Sequence, residues 1–399
     1  MQLKSVMAAI VIGVGMGVGL CQPANAPPLA GNADAMNEET VSGLQEVLTN
    51  AVRSQGIPGA VMYVETPEGK WLGAAGVKNL LWKQPMQAGD RFRIGSITKT
   101  FVAAVVLQLY EEKRLDLDDP ISKWLRPDIA AIVPNSQDIT IQQLLNHTSG
   151  LPDYIDSDDF YPDYEAQPNH QWNAEEVITY IYGLETIAEP GEEFYYANTN
   201  YIILELIVQA VTGTSLAEQL RQRLYEPLDL NDTFMEEKEP IPGGSVSGYD
   251  DWDGDGKRDD VTKLEKWGLG DGGIISTAQD LATFARALFA EAKVIKIKTL
   301  ALMLDFFPDD EGGGYGLGVT LTETDWGEAW GHTGKTGGFL STMIYIPAQS
   351  ATVVVLSNAA DKGDPDAIAY DALELVLGEV SAKKPVYRES TSKNVTIEQ

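Results

Sequence analysis

The strongest constraint on this chain's fold is where its strand-like segments fall. Two lie near the start, "GAVMYVET" and "KWLGAAGV", joined by the turn "PEG". Two more lie near the end, "GFLSTMIYIP" and "ATVVVLSN", with a third expected just before them near "GEAWGHTG". From about residue 115 to 310 the pattern changes to helices and long loops rich in Pro, Asp and Gly. The simplest assembly pairs both ends in one antiparallel sheet, covers it with the terminal helices, and leaves the middle as an inserted, mainly helical part. Residues 38–55 have helical spacing, with Val41, Leu44, Val47, Leu48 and Val52 on one side, and "PDAIAYDALELVLG" reads as a second covering helix. The expected organisation is therefore α/β (α+β). Residues 38–115 and 311–380 form the sheet part and 116–310 the helical part, preceded by a flexible lead-in at 27–37 and followed by a polar tail at 381–399. A cleft between the two parts is the natural place for a site.

A net charge of -30 bears on partners. A surface so negative repels nucleic acid and anionic lipid, so neither is expected as a partner. The first 26 residues, "MQLKSVMAAIVIGVGMGVGLCQPANA", have a basic start, an apolar stretch and small residues at Ala24-Asn25-Ala26. That is the pattern of a cleaved export signal, which predicts a secreted or periplasmic protein. Cys21 is the sole cysteine; a lipid anchor there is the weaker option, because Leu20 is bulky for a lipoprotein signal. If it leaves with the leader, disulfides and thiol catalysis are excluded. No later segment is long and apolar enough to span a membrane.

The motif with most chemistry in it is "RIGSITKTF", which sets Ser96 three residues before Lys99 at the start of the apolar run "FVAAVVLQLY". Two further S-x-x-K pairs, Ser381/Lys384 and Ser390/Lys393, sit in the polar tail, where nothing would bury or orient them. Residues three apart on a helix share a face, so the Lys99 amine can reach the Ser96 hydroxyl. Burial among apolar side chains disfavours the ammonium form. A neutral amine can take the hydroxyl proton, and the helix N-terminus favours a developing oxyanion. The bland reading is a helix-start serine beside a lysine that reaches solvent. Tyr196-Ala197-Asn198 is the one Y-x-N in the chain, offering a phenol and an amide. In "WGHTGKTGGF", His332-Thr333-Gly334 and Lys335-Thr336-Gly337 follow one another, on a Gly-rich strand that a substrate backbone can approach. Taken singly, each is matched by a structural alternative: core aromatics for the second and a tight turn for the third.

S-x-x-K, then Y-x-N, then H/K-T-G, in that order, resembles the serine β-lactamase and penicillin-binding protein superfamily. The likeness is closest to secreted D-alanyl-D-alanine carboxypeptidases and their class C β-lactamase relatives. It runs from about residue 40 to 378, with "LLNHTSGLPDY", "WGLGDGGIISTAQDLATF" and "YGLGV" as supporting stretches. The resemblance implies a β-lactamase/transpeptidase-like fold and a set of roles. Ser96 is acylated; Lys99 is its base; Tyr196 assists and protonates the leaving amine. Asn198 contacts the substrate amide, and the backbone N–H groups of Ser96 and Lys335 form the oxyanion hole. Counting back from Gly338 and Phe339 makes His332 the first residue of the third motif, as in the carboxypeptidases, whereas class C β-lactamases use K-T-G. Trp267 resembles an aromatic residue lining the family's cleft, and His147 falls in a structural stretch. One departure matters. The closest carboxypeptidases carry an arginine shortly after "YGLG" that binds the substrate carboxylate; here Thr320 stands there, and Lys335 is the candidate replacement.

The implied function is a serine-type D-Ala-D-Ala carboxypeptidase working through an acyl-enzyme on a peptidoglycan-like peptide, β-lactam or small ester. An esterase or weak class C-like β-lactamase on the same site, and a non-catalytic penicillin or peptide binder, are the alternatives. No cofactor is expected for catalysis. A separate loop, "DDWDGDGKRDD", places oxygens at Asp251, Asp253, Asp255 and Asp259, with the Lys257 carbonyl between them and Gly256 at the turn, as in a calcium loop. The usual Glu at its twelfth position is Thr262, and a solvated acidic loop is the competing reading.

Overall fold

The computed structural model describes residues 36–167, 170–264, 267–308 and 313–378. The expected leader with Cys21, the lead-in segment up to residue 35 and the polar tail lie outside them. The two ends of the chain do build one sheet. Its strands run in the order Gln84–Pro85, Gly69–Asn79, Gly59–Thr66, Ala351–Ser357, Phe339–Ile346, Gly327–Thr336, Thr320–Thr324, Gly314–Tyr315 and Phe307–Pro308, every pair antiparallel. The N-terminal hairpin meets the C-terminal strands through Ala60 opposite Ser357 and Val64 opposite Val353.

Period-two alternation divides the side chains of the central strands between two cores. Ala60, Met62, Val64, Val353 and Val355 face the helices Glu38–Gln55 and Pro365–Leu377, packing with Leu44, Leu48, Ile368 and Leu373. Val61, Tyr63, Val354 and Leu356 face the larger core shared with the middle of the chain. That second face is covered partly by the helix Ala278–Ala285, which packs on the central strands. So a segment inside the 116–310 stretch serves as a sheet cover.

The helix Thr98–Glu111 is buried from Thr98 to Val106 without interruption. A helix apolar on every side belongs in an interior, and this one lies against Thr199–Thr212, a second core helix. Among the described residues no single helix is long and apolar enough to cross a membrane.

The expectation of helices and long loops alone from about residue 115 to 310 needs correction. Ile274–Ser276 pairs with Phe92–Arg93 on one side and Phe234–Met235 on the other, and Tyr249–Asp250 pairs with Asp259–Asp260. Strands of two or three residues are too short to show an alternation. The first set nevertheless positions the site, because it brings the 267–273 loop alongside the turn that carries Ser96.

Candidate active site

Ser96 lies in the single turn Gly95–Ile97, which runs directly into the helix Thr98–Glu111. Two contacts fix that turn from the short sheet: the Ile94 N–H donates to the Ile274 carbonyl at 3.0 Å and the Ile274 N–H to the Thr98 hydroxyl at 3.1 Å. On its other side the turn lies against the third motif. Gly95 has φ of 50°, and a Cβ there would sit 2.8 Å from the Lys335 nitrogen. A Cβ on Gly334 would sit 2.0 Å from the Ile94 carbonyl oxygen. Glycine at both positions lets the Ser96 turn and the Gly327–Thr336 strand approach backbone to backbone.

Lys99 is fully buried. Its Nζ lies 3.0 Å from Ser96 Oγ, 2.7 Å from Asn198 Oδ1 and 2.7 Å from the Asp271 carbonyl oxygen. Two of these neighbours accept only. The third contact of Nζ is the Ser96 hydroxyl, a group that can both accept and donate. No carboxylate lies within ion-pair distance of Nζ among the described residues.

Tyr196 and Asn198 are set at the entrance to the helix Thr199–Thr212 by a turn around His147. The His147 carbonyl accepts the Tyr195 N–H at 2.9 Å, and its Nδ1 accepts from the Ala197 N–H at 3.2 Å and from Asn200 Nδ2 at 2.9 Å. With Nδ1 accepting, the hydrogen is on Nε2. The Tyr196 ring stacks on His147 at 4.3 Å and has Lys99 Nζ 4.9 Å from its centroid. Its hydroxyl is buried with no partner among the described residues, leaving it available to a substrate atom.

His332 is buried and occupied at both ring nitrogens. Nδ1 donates to the Thr333 carbonyl at 2.6 Å, which leaves Nε2 to accept from the Tyr315 hydroxyl at 2.8 Å. Burial, with Lys99 nearby, pushes its pKa down to about 3, and burial likewise holds His147 well below the usual imidazole range. Both rings are therefore neutral near pH 7, and among the described residues neither is hydrogen-bonded to Ser96. Thr333 and Lys335 are exposed on the same strand, while Gly334 is buried against the Ser96 turn.

Two carboxylates in this site had no sequence signal beyond their presence in quoted stretches. Asp271, in "GLGDGG", takes the Tyr154 hydroxyl at 2.7 Å and the Trp267 indole N–H at 2.9 Å, so Trp267 fixes the loop whose carbonyl holds Lys99. Asp153, in "LPDY", accepts two hydrogen bonds from Asn198, both at 2.9 Å. Burial pushes its pKa up to about 6 against the opposing pull of those bonds and of Lys99.

The acidic loop stands apart from these groups. Asp251, Asp253 and Asp255 bring one oxygen each within 4.8 Å of one another. Asp259 is outside that group, on a strand pairing with Asp250, and the Lys257 ammonium lies 2.5 Å from Asp255. Thr320, at the arginine position of the carboxypeptidases, hydrogen-bonds the Gly331 carbonyl at 2.9 Å.

The Beta-lactamase family model matches residues 44–377. This chain belongs to the Beta-lactamase family. It is 30% identical to a D-stereospecific amidohydrolase from Streptomyces sp., covering 84% of this chain and 97% of that one, with a TM-score of 0.74. The D-amino acid amidase from Ochrobactrum anthropi SV3 is 26% identical over 85% of this chain and 99% of its own, with a TM-score of 0.75. Penicillin-binding protein 4* from Bacillus subtilis (strain 168) is 26% identical over 337 residues, 80% of this chain and 72% of that protein. Membership places the chain among the serine hydrolases and their penicillin-binding relatives, and the mixed α/β fold agrees with that placement.

Proposed function

We propose that this chain is an exported serine hydrolase that cleaves D-Ala-D-Ala-like peptides through an acyl-enzyme on Ser96. The observation that carries the reading is the buried Lys99 amine, held by two acceptors with Ser96 Oγ in its remaining direction. The leader-like first 26 residues support action outside the cytoplasm.

In the first half-reaction Lys99 Nζ takes the Ser96 proton as Oγ bonds to the substrate carbonyl carbon. The oxyanion is met by the N–H groups of Ser96 and Lys335. Tyr196 gives its proton to the leaving nitrogen as the C–N bond breaks, and the proton on Lys99 restores the phenol. Water then attacks the ester carbonyl and gives a proton to Lys99 Nζ, which passes it to Ser96 Oγ as the ester C–O bond breaks, freeing the acid and restoring the hydroxyl. An intact nucleophile and base speak against a pure binding protein, which needs neither.

A second reading has an observation of its own. With Thr320 where a carboxylate-binding arginine would stand, the free C-terminus of a peptide has Lys335 as its candidate partner. Lys335 also lies within electrostatic reach of the half-buried Asp250. A substrate without that carboxylate, such as a D-amino acid amide or short ester, loses nothing by the change. The two readings separate on a matched panel: a D-Ala-D-Ala peptide, its C-terminal amide, a D-alanine ester and a penicillin, run on wild type, Ser96→Ala and Lys335→Ala. The carboxypeptidase reading predicts that Lys335→Ala lowers kcat/KM for the free-carboxylate peptide by at least about tenfold, the effect of losing a charged hydrogen bond, while sparing amide and ester. Equal loss on all three removes Lys335 from carboxylate binding. Preference for the amide in the wild type selects the amidase reading.

A further inference from the structure

The geometry points to Asp153 as a positioning residue for the acylation step, acting through the amide of Asn198 on Lys99. This rests on the serine hydrolase reading above. Asp153 is 3% exposed and lies one residue before Tyr154, whose N–H donates to Thr199 Oγ1 at 2.9 Å. That clamp sets Asp153 against the start of the helix Thr199–Thr212. There a single oxygen, Oδ2, accepts both the backbone N–H and the Nδ2–H of Asn198. A side-chain amide has one acceptor end and one donor end. With Nδ2 committed to a carboxylate, the acceptor Oδ1 must face the other way, and there it meets Lys99 Nζ at 2.7 Å.

The reversed amide would set N–H against the lysine amine and compete for the lone pair that Ser96 needs. Asp153 thus decides which end of Asn198 the base sees. Asp153 Oδ1 is buried and has no hydrogen-bond partner among the described residues, so the carboxylate spends its hydrogen bonding on Asn198. The other charged and titratable neighbours of Asp153 are Lys99, Asp271 and Asp156, with Tyr154 and Tyr195 beside them. Of these only Lys99 contacts Asn198, and it does so at Oδ1, so Asp153 alone accepts from the amide's Nδ2. Asparagine at 153 still offers an oxygen to both Asn198 donors. Alanine offers none, and serine is too short to reach both.

The test compares wild type with Asp153→Asn, Asp153→Ala and Asp153→Ser, using labelling of Ser96 by a fluorophosphonate probe and a crystal structure of each folded variant. Misplacing the base is expected to slow labelling by roughly 10²-fold in the Ala and Ser variants, with Asn198 Oδ1 out of hydrogen-bond reach of Lys99. Asp153→Asn is expected to recover labelling to within about tenfold of wild type, the cost of one charged hydrogen bond, with the amide in place. Wild-type labelling rates in Asp153→Ala or Asp153→Ser would overturn the proposal. So would equal losses in the Asn and Ala variants, or an Asn198 amide still seated on Lys99 in the Ala variant. If Asp153→Ala does not fold, the Ser and Asn variants give the same comparison. The two readings fail separately: an unlabelled wild-type Ser96 contradicts the hydrolase assignment, and the crystallographic position of Asn198 still decides Asp153.

Discussion

Replacing Lys99 with Met is expected to slow acylation of Ser96 by roughly 10²–10⁴-fold, the range for loss of a positioned proton acceptor. The loss should be similar for a reactive ester and for an amide, because both need the Ser96 proton removed. Methionine is the better substitution here. Lys99 is fully buried, and Met keeps most of its volume while removing the amine, whereas Ala would also open a cavity. Folding is not free of cost, since the Asn198 oxygen and the Asp271 carbonyl each lose a donor. Each acceptor left unpaired costs about 1–3 kcal/mol, so the melting temperature should fall while the transition stays cooperative. Tyr196→Phe gives the contrast. Its unpartnered hydroxyl is assigned to the leaving group, so the amide should suffer far more than an ester whose alkoxide departs without help. Single-turnover acylation of both substrates measures this. An ester rate in Lys99→Met within tenfold of wild type would transfer the role of base to Tyr196.

Gly334→Ala should be as damaging although it removes no reactive group. The new Cβ would lie 2.0 Å from the Ile94 carbonyl oxygen and 2.5 Å from Ser341 Oγ. The first is backbone and cannot swing aside, so strand and turn must part. The proposed oxyanion site takes one N–H from each, and loss of such a donor costs roughly 10²–10³-fold in rate. Gly95→Ala should behave alike, with a positive φ as well as a 2.8 Å contact to the Lys335 nitrogen. Gly89→Ala, where a Cβ meets nothing within 4 Å, is the control for the substitution itself. Measured kcat for a D-alanine ester should fall in the first two variants and hold in the third. Full activity in Gly334→Ala would mean that the Lys335 N–H does not take part.

The sheet was legible in the sequence because its central strands are apolar, β-branched runs bounded by turns; they are buried on both faces, with Val61, Tyr63, Val354 and Leu356 in one core and Met62, Val64, Val353 and Val355 in the other. The Glu38–Gln55 and Pro365–Leu377 helices were legible for the same kind of reason, a clear apolar face or apolar run of sufficient length. What escaped was short or non-local. Phe92–Arg93, Phe234–Met235 and Ile274–Ser276 carry no periodicity, yet their pairing brings residue 271 beside residue 99. Among site groups, Ser96, Lys99, Tyr196 and Asn198 have fixed spacings that a reader can find, and the structure brings them together. Asp153 and Asp271 are single acids in loops of a chain with 59 acidic residues, so nothing local distinguishes them. Their part depends on packing: one aims the amide of Asn198, and the other lends a backbone oxygen whose place is fixed by Tyr154 and Trp267.

The most direct test of the central claim is the site of covalent labelling. Wild-type protein is incubated at pH 7.5 with a fluorescent penicillin and with a fluorophosphonate, digested, and the modified peptide identified by mass. The account predicts one adduct, on the hydroxyl of Ser96, lost in Ser96→Ala and strongly slowed in Lys99→Met. An adduct on another residue, or hydrolysis of the substrate panel undiminished in Ser96→Ala, would contradict it.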